Sequence, residues 1–151
     1  MCRRYFCIRR QAVKILTDKI LLETKGAGDL IDITDRIVEL LKETKLKTGQ
    51  VTVFHIGSTA AITTFEFEPG LKEDMQDLYE KIVPAKEHYH HDDTWNDANG
   101  FSHLRAALQG PSLTIPFENS KLLLGKWQQV VLAEFDNKPR SRRVVVQIIG
   151  E

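Results

Sequence analysis

With 151 residues and 21 basic against 21 acidic side chains, the chain is long enough to bury one core, and its zero formal charge exerts no general pull toward nucleic acid or anionic membrane. No stretch reaches the roughly 20 apolar residues of a membrane span, and Met1 to Arg10 carries four arginines without the apolar run of a secretion signal. The expectation is a single domain over 1–151, cytoplasmic, with neither nucleic acid nor membrane as partner. Cys2 and Cys7 lie too close together for a useful disulfide and read as reduced thiols.

Tyr5 to Thr17 mixes β-branched and aromatic residues and predicts a first strand or hairpin arm, followed by a turn at Gly26-Ala27-Gly28. Ile37, Leu40 and Leu41 recur at helical spacing behind Asp32-Ile33-Thr34-Asp35, which predicts an amphipathic helix from Thr34 to Lys47 closed by Gly49. Val51–Phe54 and Ala61–Phe67 predict two strands joined or bent at Gly57-Ser58-Thr59. Leu71, Met75, Leu78 and Ile82 predict a second helix ending before Pro84.

Lys86 to Gly100 shows almost no apolar periodicity and reads as a polar loop; one so long inside a compact domain is either functional or disordered. A short helix over Phe101–Leu108, closed by Gly110, precedes strands at Leu113–Phe117, Leu122–Leu124, Trp127–Phe135 and Arg143–Ile149. Asn119-Ser120 and Asn137-Lys138-Pro139 supply turns. The predicted class is α+β: an antiparallel, β-rich, sandwich-like domain decorated by about three helices, its closing strands a meander.

All but one of the five histidines lie between His88 and His103, together with Asp92, Asp93, Asp97 and Asn99. On extended backbone His88 and His90 share a face, and on a helix Asn99 and His103 lie one turn apart; the two sets converge only if the chain folds back between them. Three readings stand side by side. Imidazole with carboxylate suits a divalent ion such as zinc; histidine bases tuned by Asp92 or Asp97 act without metal; and a solvated loop with His103 in the core needs neither. Gly57-Ser58-Thr59-Ala60 could offer N–H groups and hydroxyls to a phosphate, or be a plain glycine bulge. Arg140, Arg142 and Arg143 suit forked contacts with phosphate oxygens, or form a solvated turn. Arg3, Arg4, Arg9 and Arg10 around Tyr5 and Phe6 have an RNA-like look, but the balanced charge favours an exposed strand face or a subunit contact.

Several segments together resemble the YjbQ-like family, whose better-studied members are described as secondary thiamine-phosphate synthases. They are Gly57 to Ala61 ahead of Phe65-Glu66, Tyr89-His90-His91-Asp92, Ser102-His103-Leu104, Leu108 to Ser112, Leu122 to Gln128, Glu134, and Pro139 to Arg143 with Gly150-Glu151. The resemblance implies a homotrimer with a polar pocket near the subunit boundaries. It implies a weak capacity to join an aminopyrimidine diphosphate to a thiazole phosphate with release of pyrophosphate.

Under that resemblance His91 and His103 are the candidate catalytic and metal-binding residues, with Asp97 and Glu66 as acidic partners and zinc or magnesium as the ion. Ser58, Thr59, Arg140 and Arg143 would hold the small phosphorylated molecule. The alternative is a non-enzymatic homotrimer binding a metal ion or such a ligand. The chain departs from the family at Gly57-Ser58-Thr59-Ala60, where relatives commonly read His-Thr-Thr-Ala or His-Thr-Ser-Ala, and at Lys126, where they carry a small residue. Either His55, His90 or a water fills that place, or the chemistry is lost.

Overall fold

The structure is a computed structural model that describes residues 12–151. Both cysteines, the four early arginines and the start of the first predicted strand lie outside the described residues. In chain order the elements are β1 (Lys14–Glu23), β2 (Leu30–Asp32), α1 (Thr34–Thr44), β3 (Thr48–His55), β4 (Ala60–Phe65) and α2 (Pro69–Ile82). They continue with α3 (His90–Trp95), α4 (Gly100–Gln109), β5 (Ser112–Glu118), β6 (Lys121–Leu122), β7 (Gln129–Glu134) and β8 (Ser141–Gly150).

The strands form a larger sheet in the order β1-β8-β3-β5-β6 and a smaller one in the order β2-β7-β4, with every neighbouring pair antiparallel. The class is α+β, as expected. Alternation explains the packing. Arg142, Val144, Val146 and Ile148 of β8, Val51 and Val53 of β3, and Ile115 and Phe117 of β5 turn inward. They meet Val130 and Leu132 of β7, Ala60 and Ile62 of β4, and Ile37 and Leu41 of α1 in one core. The opposite face of the smaller sheet presents Ala61 and Ala133, whose small side chains pack with Ala106 of α4 and Phe135. Tyr79 of α2 stands edge-on to Phe135 at 4.7 Å between ring centroids. With both faces covered, β7 reads as an unbroken apolar run rather than an alternating one.

Several boundaries differ from expectation. The helix α1 stops at Thr44, because Lys45 turns left-handed (φ 60°) and caps it. Pro69 opens α2, and the Glu68 carboxylate accepts from the Gly70 and Leu71 N–H groups ahead of it. The closing strands are not a meander. Only β5 and β6 form a hairpin, through Asn119-Ser120 with both residues at positive φ, as a two-residue turn requires; β7 then crosses to the smaller sheet and β8 returns to the larger. The predicted polar loop contains a fourth helix, α3.

Three of these crossings between sheets occur at one end of the sandwich. Residues 24–29 lead from β1 to β2, 56–59 from β3 to β4, and 135–140 from β7 to β8. Backbone hydrogen bonds stitch them together: Thr24 N to Arg140 O, Gly28 N to Glu134 O, and Phe135 N to Thr59 O.

Candidate functional site

The inward face of the larger sheet ends, at the crossings, in polar side chains rather than apolar ones. The Arg142 guanidinium makes a forked contact with Glu134, Nε to Oε2 at 2.6 Å and Nη2 to Oε1, and Nη2 also donates to Thr59 Oγ1 at 2.8 Å. Thr24 Oγ1 donates to Glu134 at 2.7 Å. Thr59 Oγ1 in turn donates to Asp136 Oδ2 at 3.0 Å, and the same oxygen accepts Arg140 Nε at 2.9 Å. Glu134, Asp136, Thr59 and Arg142 are all buried, so this is a paired and hydrogen-bonded charge network of the kind an interior tolerates. Burial works against the charged form of Asp136, but hydrogen bonds from Arg140 and Thr59 outweigh it and hold the carboxyl below its usual range.

His55 lies beside this network, fully buried, with neither ring nitrogen hydrogen-bonded. Burial and the nearby Arg142 charge push its titration down, with Glu134 opposing in part. Its ring abuts Gly57: a Cβ at position 57 would stand 2.6 Å from His55 Cε1. The imidazole of His55, the last residue of β3, thus takes up the space that a side chain at 57, two residues on, would need. Gly57 and Ser58 themselves are exposed.

The two histidine sets do converge. The chain folds back between α3 and α4, and the rings of His91 and His103 lie 4.4 Å apart between centroids. Asp92 ties the two helix starts together by accepting from Tyr89 N at 3.3 Å and Gly100 N at 3.0 Å. Glycine is required at 100, since a Cβ there would meet the Tyr89 Cβ at 2.5 Å. Asp97 Oδ1 stands 3.8 Å from His91 Nε2, beyond a hydrogen bond.

Asn99 fills that gap. With its amide oriented to suit its surroundings, the nitrogen donates to His91 Nε2 at 3.2 Å and to Asp97 at 3.1 and 3.3 Å. Asn99 stands at the N-cap of α4 yet its side chain makes no bond to the helix N–H groups, forgoing a cap worth about 1 kcal/mol. Asn137 Nδ2 donates to the carbonyls of Asp97 and Ala98 at 2.8 and 3.2 Å, fastening this loop to the crossing that carries Asp136. Burial and the neighbouring His91 lower the titration of His103, while Asp97 and Asp136 oppose this in part.

Of the residues picked from the sequence, His91, His103 and Asp97 come together, and Thr59 and Arg140 meet at Asp136 with Ser58 on the exposed turn beside them. Two picks are placed elsewhere. Glu66 is exposed beyond the far end of β4, roughly 20 Å of extended chain from Thr59. Arg143 is exposed on the outward face of β8, opposite Leu21; the inward arginine is Arg142. Alternation carried a signal for this. Gln147 lies on the parity of Arg143, whereas Arg142 shares the parity of Val144, Val146 and Ile148. Asp136 was missed as well, and Phe135-Asp136 at the end of an apolar strand offered only a weak signal. His88 and His90 stay apart from the pair, both beside the exposed Asp93.

Among the described residues no group of three or more His, Cys, Asp or Glu side chains is arranged to hold a metal ion. His91 Nε2 faces the Asn99 amide, so the set as it stands does not fit zinc or magnesium. Arginines, hydroxyls and imidazoles are nonetheless the groups that bind an oxyanion and manage protons around it. Among the described residues no helix is long and apolar enough to cross a membrane.

Comparison with known proteins agrees with this architecture. The family profile described as UPF0047 protein YjbQ-like matches residues 18–151. A UPF0047 protein of Archaeoglobus fulgidus is 38% identical over 131 residues, covering 87% of this chain and 99% of the relative. One from Methanothermobacter thermautotrophicus is 37% identical over 139 residues, covering 92% and 95%. The crystal structure of a YbjQ-like protein of unknown function from Sulfolobus solfataricus superposes with a TM-score of 0.85 at 30% identity, covering 93% of this chain and 100% of that one. The chain belongs to the YjbQ-like UPF0047 family.

Proposed function

We propose that the end of the sandwich where the sheets exchange strands binds a small phosphorylated molecule, with Ser58 and Arg140 taking its oxyanion above the buried Thr59, whose hydroxyl proton is already given to Asp136, and the His91–His103 pair managing a proton beside it. The observation that carries the reading is the meeting of two histidines from separate helices at 4.4 Å, joined by a loop that Asn137 fastens to the crossing where buried Asp136 holds Arg140. Asp136 orients Arg140 and leaves its outer nitrogens for a ligand, so binding loses little side-chain freedom. The chemistry to test first is the one the family resemblance implies: joining an aminopyrimidine diphosphate to a thiazole phosphate with release of pyrophosphate. Arg140 would stabilise the departing diphosphate, and His103 would hold or move a proton near it. Incubating the two precursors with the protein and Mg²⁺ and measuring thiamine phosphate tests this against His103→Ala; equal product from both proteins would sink the site.

A second reading is a non-enzymatic homotrimer that binds a phosphorylated ligand or a metal ion. It is favoured by Gly57, which supplies no side chain to the site, and by the outward face of the larger sheet, where Ile15, Leu21 and Phe54 are exposed, with Ile56 exposed just past the end of β3. For a metal ion, a second copy would have to complete the His91–His103 pair. Light-scattering mass with elemental analysis of chelator-free protein tests this reading; a metal-free monomer that turns over the precursors would reject it.

A further inference from the structure

We propose that Asn99 is a positioning residue that fixes His91 as the Nδ1–H tautomer, so that His91 meets a ligand as a hydrogen-bond donor through Nδ1 and not as a lone-pair ligand through Nε2. The ligand-facing half of this statement rests on the function proposed above; the tautomer itself does not.

The amide nitrogen of Asn99 has two hydrogens and two acceptors to give them to, His91 Nε2 and the Asp97 carboxylate. The reverse orientation would set the Asn99 carbonyl against the Asp97 carboxylate, acceptor facing acceptor. A nitrogen that accepts a hydrogen bond carries no proton in the neutral ring, so the proton belongs on Nδ1. Asp97 cannot impose the opposite tautomer, because at 3.8 Å it does not accept directly from Nε2. Asn99 is 7% exposed and gives up the capping bond its position invites, while the His91 side chain is 31% exposed. The amide therefore engages Nε2, while Nδ1 has no hydrogen-bond partner among the described residues and is the nitrogen left to meet an oxyanion. An asparagine that abandons a local structural role for contact with a histidine marks a place where the fold yields to the site.

The test reads the tautomer in the ligand-free full chain by NMR of ¹⁵N-histidine-labelled protein, at a pH where the ring is neutral. His91 is expected to show a protonated Nδ1 and an unprotonated Nε2. Asn99→Asp replaces the donor with an acceptor and is expected to move the proton to Nε2, while Asn99→Gln, which keeps a donor amide, retains at least part of the Nδ1–H population. A wild-type ring protonated at Nε2 overturns the proposal, and so does an unchanged tautomer in a folded Asn99→Asp chain. If Asn99→Asp does not fold, the wild-type tautomer decides alone. Pyrophosphate is then titrated into the wild type. A shift at His91 Nδ1 supports the donor role. Binding that leaves this nitrogen unmoved overturns that role, and no binding counts against the phosphorylated-ligand reading while the tautomer stands.

Discussion

Glu134→Gln would keep the side chain's shape and remove the charge that Arg142 was folded against. Arg142 is 8% exposed and Glu134 fully buried, so the guanidinium would keep its charge in a place water barely reaches. Breaking a buried pair from one side costs about 3–5 kcal/mol. Asp136 Oδ2, 3.8 Å from Arg142 Nη2, supplies part of the missing counter-charge and argues for the lower end, about 3 kcal/mol. In a chain of this size that corresponds to roughly 6–12 °C in Tm, or a urea midpoint lowered by about 1–2 M for an ordinary slope. Arg142→Met should cost a similar amount, since Glu134 would retain only its bonds from Thr24 and the Asp136 N–H. The double variant Glu134→Gln/Arg142→Met removes both charges and should be far more stable than the sum of the singles predicts, by about 2 kcal/mol or more. Urea unfolding followed by circular dichroism on all four proteins gives the coupling. Additive losses, or either single variant within about 1 kcal/mol of wild type, would refute the idea that the pair is desolvated and mutually dependent.

Further outcomes follow from other parts of the structure. Gly57→Ala places a methyl group 2.6 Å from the His55 ring on backbone with φ 153° and should destabilise by about 1–3 kcal/mol; unchanged thermal unfolding would show that the ring is free to move. His55 is held neutral in the folded chain while the unfolded chain takes up a proton below about pH 6.5. The unfolded state thus binds more protons in that window, and stability should be complete above it and fall as the pH drops. His103 adds in the same direction, and His55→Phe should flatten part of the dependence of Tm on pH between about 5 and 7; parallel curves would count against it. Arg105→Lys loses the fork in which Nε and Nη2 both donate to the Val83 carbonyl, at 2.9 and 2.7 Å, while Nη2 reaches Glu80. It should cost about 1–2 kcal/mol in denaturant unfolding, and a lysine variant as stable as wild type would show the fork to be dispensable.

The parts of the fold legible in the sequence were those marked by an apolar period or a turn signal. Ile37 and Leu41 announced α1 and are buried in it, and the left-handed Asn119-Ser120 pair marked its hairpin. Leu71, Met75, Leu78 and Ile82 announced α2 as a helix, but the buried stripe expected of them is not there: α2 buries none of its residues, and Leu78 and Ile82 are exposed. What escaped was set by contacts between elements. His90 to Trp95 carries no apolar stripe, and α3, which buries none of its residues, is held by the Asp92 bonds to Tyr89 and Gly100. The three-residue β2 is too short to show alternation, and β7 conceals its crossing of sheets because both its faces are covered. In the site, the density of His88 to His103 pointed to the right stretch, but nothing local told His91 and His103, which meet, from His88 and His90, which do not. Arg142 was readable from strand parity. Asp136 was not, since its importance comes from Thr59 and Arg140, far away in the chain or across a turn.

The stitching of three crossings at one end bears on how this protein can change over generations. Side-chain replacement at Ser58 alters what the surface offers without touching the interior, and at Arg140 it costs the interior only one partner of the buried Asp136. Length is another matter, because Thr24 is bonded to Arg140, Gly28 to Glu134 and Phe135 to Thr59 through their backbones. One residue inserted in any of these connections would throw the other two out of register. Relatives with altered ligand preference should therefore differ here by substitution, while added or lost residues collect elsewhere, as in the connection between α2 and α3.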